Sequence, residues 1–552
     1  MLSTLRLVVR VARSPALVRV VVAYAVFILT EYAMWIGVLV FAYAHGGVTA
    51  AGLASLAQLV PAALAAPLFA TVADRRSPTV LLTAGYLAQG LGCVVVAVAI
   101  YADASPFVVY AGAVFASTVI PTTRPAQAAL VPGLARDLDE LTATNVLVGW
   151  VESIAIVAAG AGGGLLMAWD GVAPVAAASA VLLAGAALLV VSLPAPALGT
   201  ADEGASAFHQ VADGVTAMLS NQRAGVLVGL LGLEYVVIGA LDVLFVVLAI
   251  DVLGHGEGWA GYLNSAYGAG GVAVGGFAAL IIGRRLGPIV VVSAVLLSLA
   301  LAGTALASGD LAVLALLTLV GASRALFDVA SRSLLQRAVS ADMVARIFGL
   351  TEGLSMAGLA VGSLLVPALV GLGGDRLALL GVAAIVPVVV AFRLRMLLRI
   401  DDEARVPVVE ISLLRSTPVF RDLPAPVLEG VARALQRADH PPGAVLIAQG
   451  DEGNHYYAIA DGTVEIQQDG QRLGELGRGA GLGEIALLHD VVRTASAVAV
   501  TPVTVYTLDR DSFLTAVNGH APTSRAASAV ARELRQRDAD RSEKAPGDGE
   551  PG

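Results

Sequence analysis

Between residues 16 and 398 the chain is almost uninterrupted in its apolar character, and a run of that length has no place inside a water-soluble core. A helix crossing a bilayer needs about 20 consecutive apolar residues. That length marks twelve spans, at about 17–44, 48–72, 79–103, 107–131, 143–168, 172–194, 225–252, 258–282, 288–308, 311–335, 346–371 and 376–397. Composition agrees: 57% of residues are hydrophobic and 14% charged, against about 45–50% and about 25% in soluble proteins. A simple soluble enzyme and a disordered chain are thereby excluded. Aromatic residues make up only 5%, so the apolar mass is Ala, Val, Leu, Ile and Gly, which suits closely packed membrane helices. A single cysteine, Cys93, rules out a disulfide framework, and the net charge of −9 offers no basic footprint for nucleic acid. Lys544, in the polar tail, is the sole lysine, so neither a phosphate-loop lysine nor a Schiff-base lysine is available. No metal-ligand spacing and no catalytic motif stands out.

Loop arginines set the expected orientation. Arg75, Arg76, Arg136, Arg223, Arg284, Arg285, Arg337 and Arg346 fall in alternate junctions, and Arg6, Arg10, Arg13, Arg393, Arg395 and Arg399 at the ends of the apolar region. Apart from Arg376, the opposite loops lack positive charge. Both termini are therefore expected in the cytoplasm of a multi-pass protein of the cell membrane. Ala42–Tyr43–Ala44 imitates a cleavage site, but the preceding apolar stretch is too long and a second span follows directly, giving an uncleaved first helix. The apolar region also repeats. Asp74–Arg75–Arg76 and Gly283–Arg284–Arg285, Glu31 and Glu234, and Glu152 and Glu352 form three pairs, each separated by roughly 200 residues. Two six-helix halves, joined by a polar stretch at about 195–224, make a carrier layout.

Residues 1–400 resemble the major facilitator superfamily, in particular its proton-driven exporters of small lipophilic molecules. The resemblance rests on the loop between spans two and three, Ala70–Thr71–Val72–Ala73–Asp74–Arg75–Arg76–Ser77–Pro78, set against Gly-x-x-x-Asp-Arg-x-Gly-Arg. Asp74 and Arg75 match, while Ala70 and Ser77 replace glycines. The resemblance gives Asp74, Arg75 and Arg76 the role of a conformational gate. Arg124–Pro125–Ala126–Gln127 is similar to an antiporter signature; Arg124 belongs either to the membrane interface or to a pair with Glu152.

Charges inside spans are costly in a bilayer and are functional candidates by default. Glu31 lies midway along the first span, and Glu234 and Asp242 on the seventh are about 80° apart around the helix, able to line one cavity. A carboxylate that takes up and releases a proton is what a proton-coupled carrier needs; the plainer role is a fixed hydrogen bond to a neighbouring helix. Arg324 and Asp328, four apart on span ten, have the spacing of a self-neutralising intrahelical pair.

After residue 400 the pattern changes. A linker at 401–412 leads to a soluble domain at 413–537 and a disordered tail at 538–552. An amphipathic stretch, Leu413 to Leu435, is broken at Pro424 and Pro426. Strand-like runs follow at Ala444–Gln449, Tyr456–Ala460, Val464–Gln468, Ala497–Val500 and Val503–Leu508, separated by glycine turns. Such spacing predicts a small jelly-roll-like β-barrel with flanking helices, the last of them at Thr523–Arg537.

The segment Gly483–Glu484–Ile485–Ala486–Leu487–Leu488, followed after four residues by Arg493–Thr494–Ala495–Ser496, resembles the phosphate-binding cassette of the cyclic-nucleotide-binding domain family. Gly443, Gln449–Gly450–Asp451, Gly453, Tyr456 or Tyr457 and Gly462 match its barrel turns in order, over roughly 409–520. Leu482 and Val492 replace the usual aromatic and proline. Gly483 permits close backbone approach, and free N–H groups at Ile485, Ala486 and Leu487 suit an anion. Arg493 offers a planar fork to phosphate oxygens, with Thr494 and Ala495 beside it. Glu484, repelled by phosphate, is left to accept from a ribose hydroxyl. The resemblance implies a cyclic nucleotide as regulatory ligand, with cAMP the default over cGMP.

The whole chain then reads as an all-α membrane domain of twelve helices followed by a small cytosolic β-barrel. Its expected function is a secondary transporter, coupled to protons, that exports a small molecule under cyclic-nucleotide control. The alternative is a membrane-anchored sensor on a transport-inactive carrier fold.

Overall fold

A computed structural model describes residues 11–73, 76–136, 138–194, 216, 218, 221–275, 285–307, 309–339, 341–403, 408–421, 423, 425–489 and 491–518. The chain divides into two compact units, Met1–Arg405 and Val406–Gly552.

Every regular element among the described residues of the first unit is a helix. In a bilayer the backbone must satisfy its own hydrogen bonds, and continuous Ala, Val and Leu do so as helix. In order come α1 (Pro15–Ala73), α2 (Pro78–Tyr101), α3 (Pro106–Leu134), α4 (Leu138–Asp170), α5 (Ala173–Val190), α6 (Gln222–Val247, ending in a π-turn at Leu248–Val252), α7 (Gly258–Gly275), α8 (Leu286–Thr304), α9 (Asp310–Ala338) and α10 (Ala341–Glu403). Among the described residues nine are long and apolar enough to cross a membrane. Two of these carry apolar stretches of 52 and 50 residues. At about 1.5 Å per residue these run near 75 Å, more than twice the hydrocarbon thickness of about 30 Å. Each is broken where it must turn back. Gly46–Gly47 interrupts α1 and Gly373–Gly374 interrupts α10, with Gly47 at φ +65° and Gly374 at φ +74°. Those two breaks turn ten helices into twelve helical segments among the described residues.

Small residues let the helices touch backbone to backbone. A Cβ on Gly239 of α6 would lie 2.1 Å from the Leu359 carbonyl oxygen of α10, and one on Gly362 would lie 2.0 Å from that of Val236. Gly160 and Gly164 of α4 meet Gly261 and Gly258 of α7 in the same way, at 2.6 Å each. The end of α10 is fastened too. The buried Asp401 carboxylate accepts from the Leu286 N–H at 2.8 Å and from Arg285 Nε at 3.2 Å, closing the start of α8. The helix runs on through Glu403, so the first residues of the linker expected at 401–412 are helical.

The second unit begins with α11 (Val408–Ser416) and α12 (Ala425–Ala434); the helix ends at Ser416, before the prolines where the sequence suggests a break, and Pro426 lies in the first turn of α12. Eight strands follow: β1 (Gln436–His440), β2 (Val445–Ile447), β3 (His455–Asp461), β4 (Val464–Gln468), β5 (Gln471–Leu476), β6 (Gly481–Leu482), β7 (Ser496–Ala499) and β8 (Val503–Asp509). A short helix α13 (Glu484–His489) separates β6 from β7, and α14 (Arg510–Asn518) follows β8. The strands form two antiparallel sheets, in orders β1-β8-β3-β6 and β2-β7-β4-β5. Ile459, Leu482 and Val505 of one sheet meet Ile447, Val464 and Ala497 of the other in a shared core. Alternation along β3 turns Tyr456 and Ala458 the opposite way, toward α11, α12 and α14. There Tyr456 stacks on Phe513 at 5.0 Å and meets Phe420 edge-on at 5.4 Å. The run Thr523–Arg537, expected as a final helix, lies outside the described residues.

Candidate functional site

In the helical unit the in-span charges converge on a cavity of about 640 Å³. Two clusters form its polar parts. Arg124 of α3 bridges two carboxylates, donating from Nη2 to Glu31 of α1 at 3.1 Å and from Nη1 to Glu152 of α4 at 3.0 Å. Of the two positions open to Arg124 in the sequence, the structure gives the Glu152 pair and adds Glu31. The second cluster lies on α6 and α9. Arg324 Nε lies 3.5 Å from Glu234, and its guanidinium sits 6.0 Å from the centre of the Tyr267 ring. Asp328 pairs with Arg332 at 2.7 Å, and Arg332 also donates to the Tyr235 hydroxyl at 2.8 Å. The Arg324–Asp328 pair inferred from spacing is therefore corrected. Arg332, one turn further along, takes Asp328, and Arg324 reaches across to a different helix.

Asp242 is held differently. Its carboxylate accepts from the Trp35 indole at 3.0 Å, an α1 side chain reaching an α6 residue. Trp35, Tyr235 and Arg332 carried no functional motif. Arg332 was detectable by the same rule that marked Glu31, a charge within an apolar run. Of the gate residues, Arg76 is an exposed residue in the bend before α2; Asp74 and Arg75 lie outside the described residues.

In the β unit the cassette centres on one arginine. Arg493 is 6% exposed and Glu484 4% exposed, too deep for charged residues without a local purpose. Arg493 donates from Nη1 to the Gly483 carbonyl at 3.0 Å and from Nη2 to the His455 carbonyl at 2.6 Å. Its own backbone is tied to the preceding turn, with its N–H on the Asp451 carbonyl at 2.8 Å and its carbonyl on the Gly450 N–H at 2.9 Å. Gly483 takes φ +91°, and a Cβ there would stand 2.1 Å from Arg493 Nη1. Only glycine lets the guanidinium sit so close to this turn.

Glu484 opens α13, and its Oε2 is buried without a hydrogen-bond partner among the described residues. Burial pushes the Glu484 carboxyl up to about 7, against the pull of its own backbone hydrogen bond and the Arg493 charge. Burial also lowers the Arg493 guanidinium, opposed by Tyr457, Glu484 and Asp451. Ile485 is half-buried, and Ala486 and Leu487 are buried. Thr494 is exposed and Ala495 half-buried. This is a poised pair: a guanidinium parked on carbonyls and a carboxyl whose Oε2 lacks a donor among the described residues.

A helical bundle around a charged internal cavity, continued by a β-sandwich carrying such a pair, defines a membrane carrier fold with a ligand-binding appendage. The chain belongs to the Major Facilitator Superfamily, whose family model matches residues 20–363. A second model, the cyclic nucleotide-binding domain, matches residues 438–520. The chain is thus a multi-pass membrane protein joining a transporter domain to a cyclic nucleotide-binding domain, and neither family is one of enzymes.

The cAMP-dependent protein kinase regulatory subunit of Debaryomyces hansenii is 38% identical over 117 residues, covering 21% of this chain and 26% of that protein. The cGMP-dependent protein kinase, isozyme 1, of Drosophila melanogaster is 34% identical over 111 residues, covering 19% and 14%. The chain thus spans about a quarter or less of these relatives. Among solved structures, the regulatory domain of Toxoplasma gondii PKA co-crystallised with cAMP is 28% identical, with coverage of 19% and 42% and a TM-score of 0.19.

Proposed function

We propose that the chain is a proton-coupled secondary transporter that exports a small molecule across the cell membrane, and that a cyclic nucleotide bound at 438–520 regulates it. The observation that carries the transport half is the clustering of in-span charges, on both sequence halves, around one cavity. In this reading the twelve helical segments are twelve spans with both termini in the cytoplasm. Glu31, Glu234 and Asp242 exchange the protons. Arg124 holds Glu31 and Glu152 while they are ionised; a proton arriving on either weakens its hold and frees Arg124 to favour the other. Asp74, Arg75 and Arg76 form the cytoplasmic gate.

The buried pair of Glu484 and Arg493 carries the regulatory half. An anionic cyclic phosphate draws the Arg493 fork from the Gly483 and His455 carbonyls, exchanging neutral acceptors for a charged one. A ribose hydroxyl then supplies the donor that Glu484 Oε2 lacks. cAMP is the preferred ligand, since a relative 38% identical over 117 residues is a cAMP-dependent protein kinase regulatory subunit. Thr494 and Ala495 flank the phosphate.

The test uses the full chain in vesicles loaded with a pH-reporting dye. A solute gradient should drive proton movement, and cAMP on the nucleotide-domain side should change its rate. Proton movement absent in every condition, with cAMP still binding, would leave a nucleotide sensor anchored by an inactive carrier fold.

A further inference from the structure

Arg493 has two sets of partners to serve. Its Nη groups donate to the Gly483 and His455 carbonyls, and those are the donors a cyclic phosphate has to claim. A guanidinium this deeply buried that lets go of both acceptors becomes an unpaired charge, a costly state unless another contact stays in place. One other contact is present. Arg493 Cζ lies 6.0 Å from the centre of the Tyr457 ring, at the reach of cation–π attraction, about 6 Å. Tyr457 is firmly placed for this. It is half-buried in β3, pairs with Thr507 of β8 and with Leu482 of β6, the residue before Gly483, and packs against the core between the two sheets. Small residues leave the guanidinium its room. A Cβ on Gly453 would stand 3.1 Å from Arg493 Cζ, and one on Gly483 2.1 Å from its Nη1.

We propose that Tyr457 is the positioning residue for Arg493 in nucleotide binding, its ring holding the guanidinium while the Nη donors pass from the two carbonyls to the cyclic phosphate. The electron-rich face of an aromatic ring attracts a cation without occupying its N–H groups, so the contact survives the exchange. Glu484 and Asp451 also attract the guanidinium, but a carboxylate repels the arriving phosphate, whereas a phenol ring carries no net charge to do so. This inference rests on the reading of 438–520 as a nucleotide site and adds to it a side chain outside the cassette.

The test is calorimetry of cAMP on the full chain with four side chains at position 457. Tyr457→Leu is expected to weaken binding by about tenfold, and Tyr457→Phe, which keeps the ring face, to restore most of the affinity. Pentafluorophenylalanine at 457 keeps the ring's shape and reverses the charge of its face, so it should bind as weakly as the leucine variant. It also decides the matter if the leucine variant fails to fold. In an Arg493→Ala chain, Tyr457→Leu should add no further loss, because its effect passes through that arginine. Wild-type affinity in the pentafluorophenylalanine chain overturns the proposal, since packing alone would then account for Tyr457. So does a full tenfold loss from Tyr457→Leu in the Arg493→Ala chain. Failure of the nucleotide reading looks different: the folded wild-type chain itself would give no heat with cAMP or cGMP, and the assignment of Tyr457 would fall with it.

Discussion

Glu484 condenses the chemistry of the nucleotide domain into one side chain. Folding raises its carboxyl from an ordinary 4.5 to about 7, chiefly by burial. The native domain therefore holds this proton more tightly than the unfolded chain. The contribution is fully present below about pH 4.5 and is lost as pH rises through about 7, on the order of 3 kcal/mol in all. Hydrogen exchange of β3 and β8 amides in the ligand-free chain should show protection falling over that window. Glu484→Gln, which keeps the shape without the charge, should flatten the dependence; an unchanged slope would show that Glu484 does not produce it. Arg493→Ala should weaken cAMP binding by about 2–4 kcal/mol, the scale for removing a buried charged partner of an anion, as read by calorimetry. Both residues were legible in the sequence because the cassette is contiguous. Their present partners were not, because the Gly483 and His455 carbonyls are backbone groups and any residue offers one.

Glycine sets what the helical elements can do. Gly239→Ala drives a methyl to 2.1 Å from the Leu359 carbonyl, where one helix backbone must move. A loss of about 1–3 kcal/mol is expected, the scale of overpacking, whereas Gly229→Ala on the same helix meets open space and should cost little. Thermal melting of the two variants in detergent checks this, and equal melting points would contradict the close α6–α10 packing. The helices themselves were legible, since an apolar run of bilayer length has few alternatives, and the breaks at Gly46–Gly47 and Gly373–Gly374 fall between the spans read from sequence. In the β unit β4 was read residue for residue, and β2, β3, β7 and β8 to within two residues at each end. β1, β5 and β6 were missed for physical reasons. Gln436–His440 and Gln471–Leu476 are polar, exposed strands whose pairing with β8 and β4 supplies what their side chains do not. β6 has only two residues. The Arg324–Glu234 approach was hidden because local spacing made Asp328 the nearer partner in sequence.

For the whole molecule, transport and nucleotide binding have to be coupled in free energy. A ligand moves a conformational equilibrium only by its differential affinity for the two states, so a tenfold change in flux requires about 1.4 kcal/mol of coupling. Asp401 is a place to interrupt it, since it fastens the end of α10 to the start of α8 shortly before the chain enters the second unit. Asp401→Asn should reduce the nucleotide response of flux while leaving cAMP affinity in place. The most direct measurement is proton-coupled flux by the reconstituted full chain, with and without saturating cAMP, for wild type, Glu31→Gln and Arg493→Ala. Wild type should change rate with cAMP, Glu31→Gln should lose flux yet keep cAMP binding, and Arg493→Ala should keep flux yet lose the response. A wild-type rate that saturating cAMP leaves unchanged, in protein shown to have bound it, would contradict nucleotide control of this carrier.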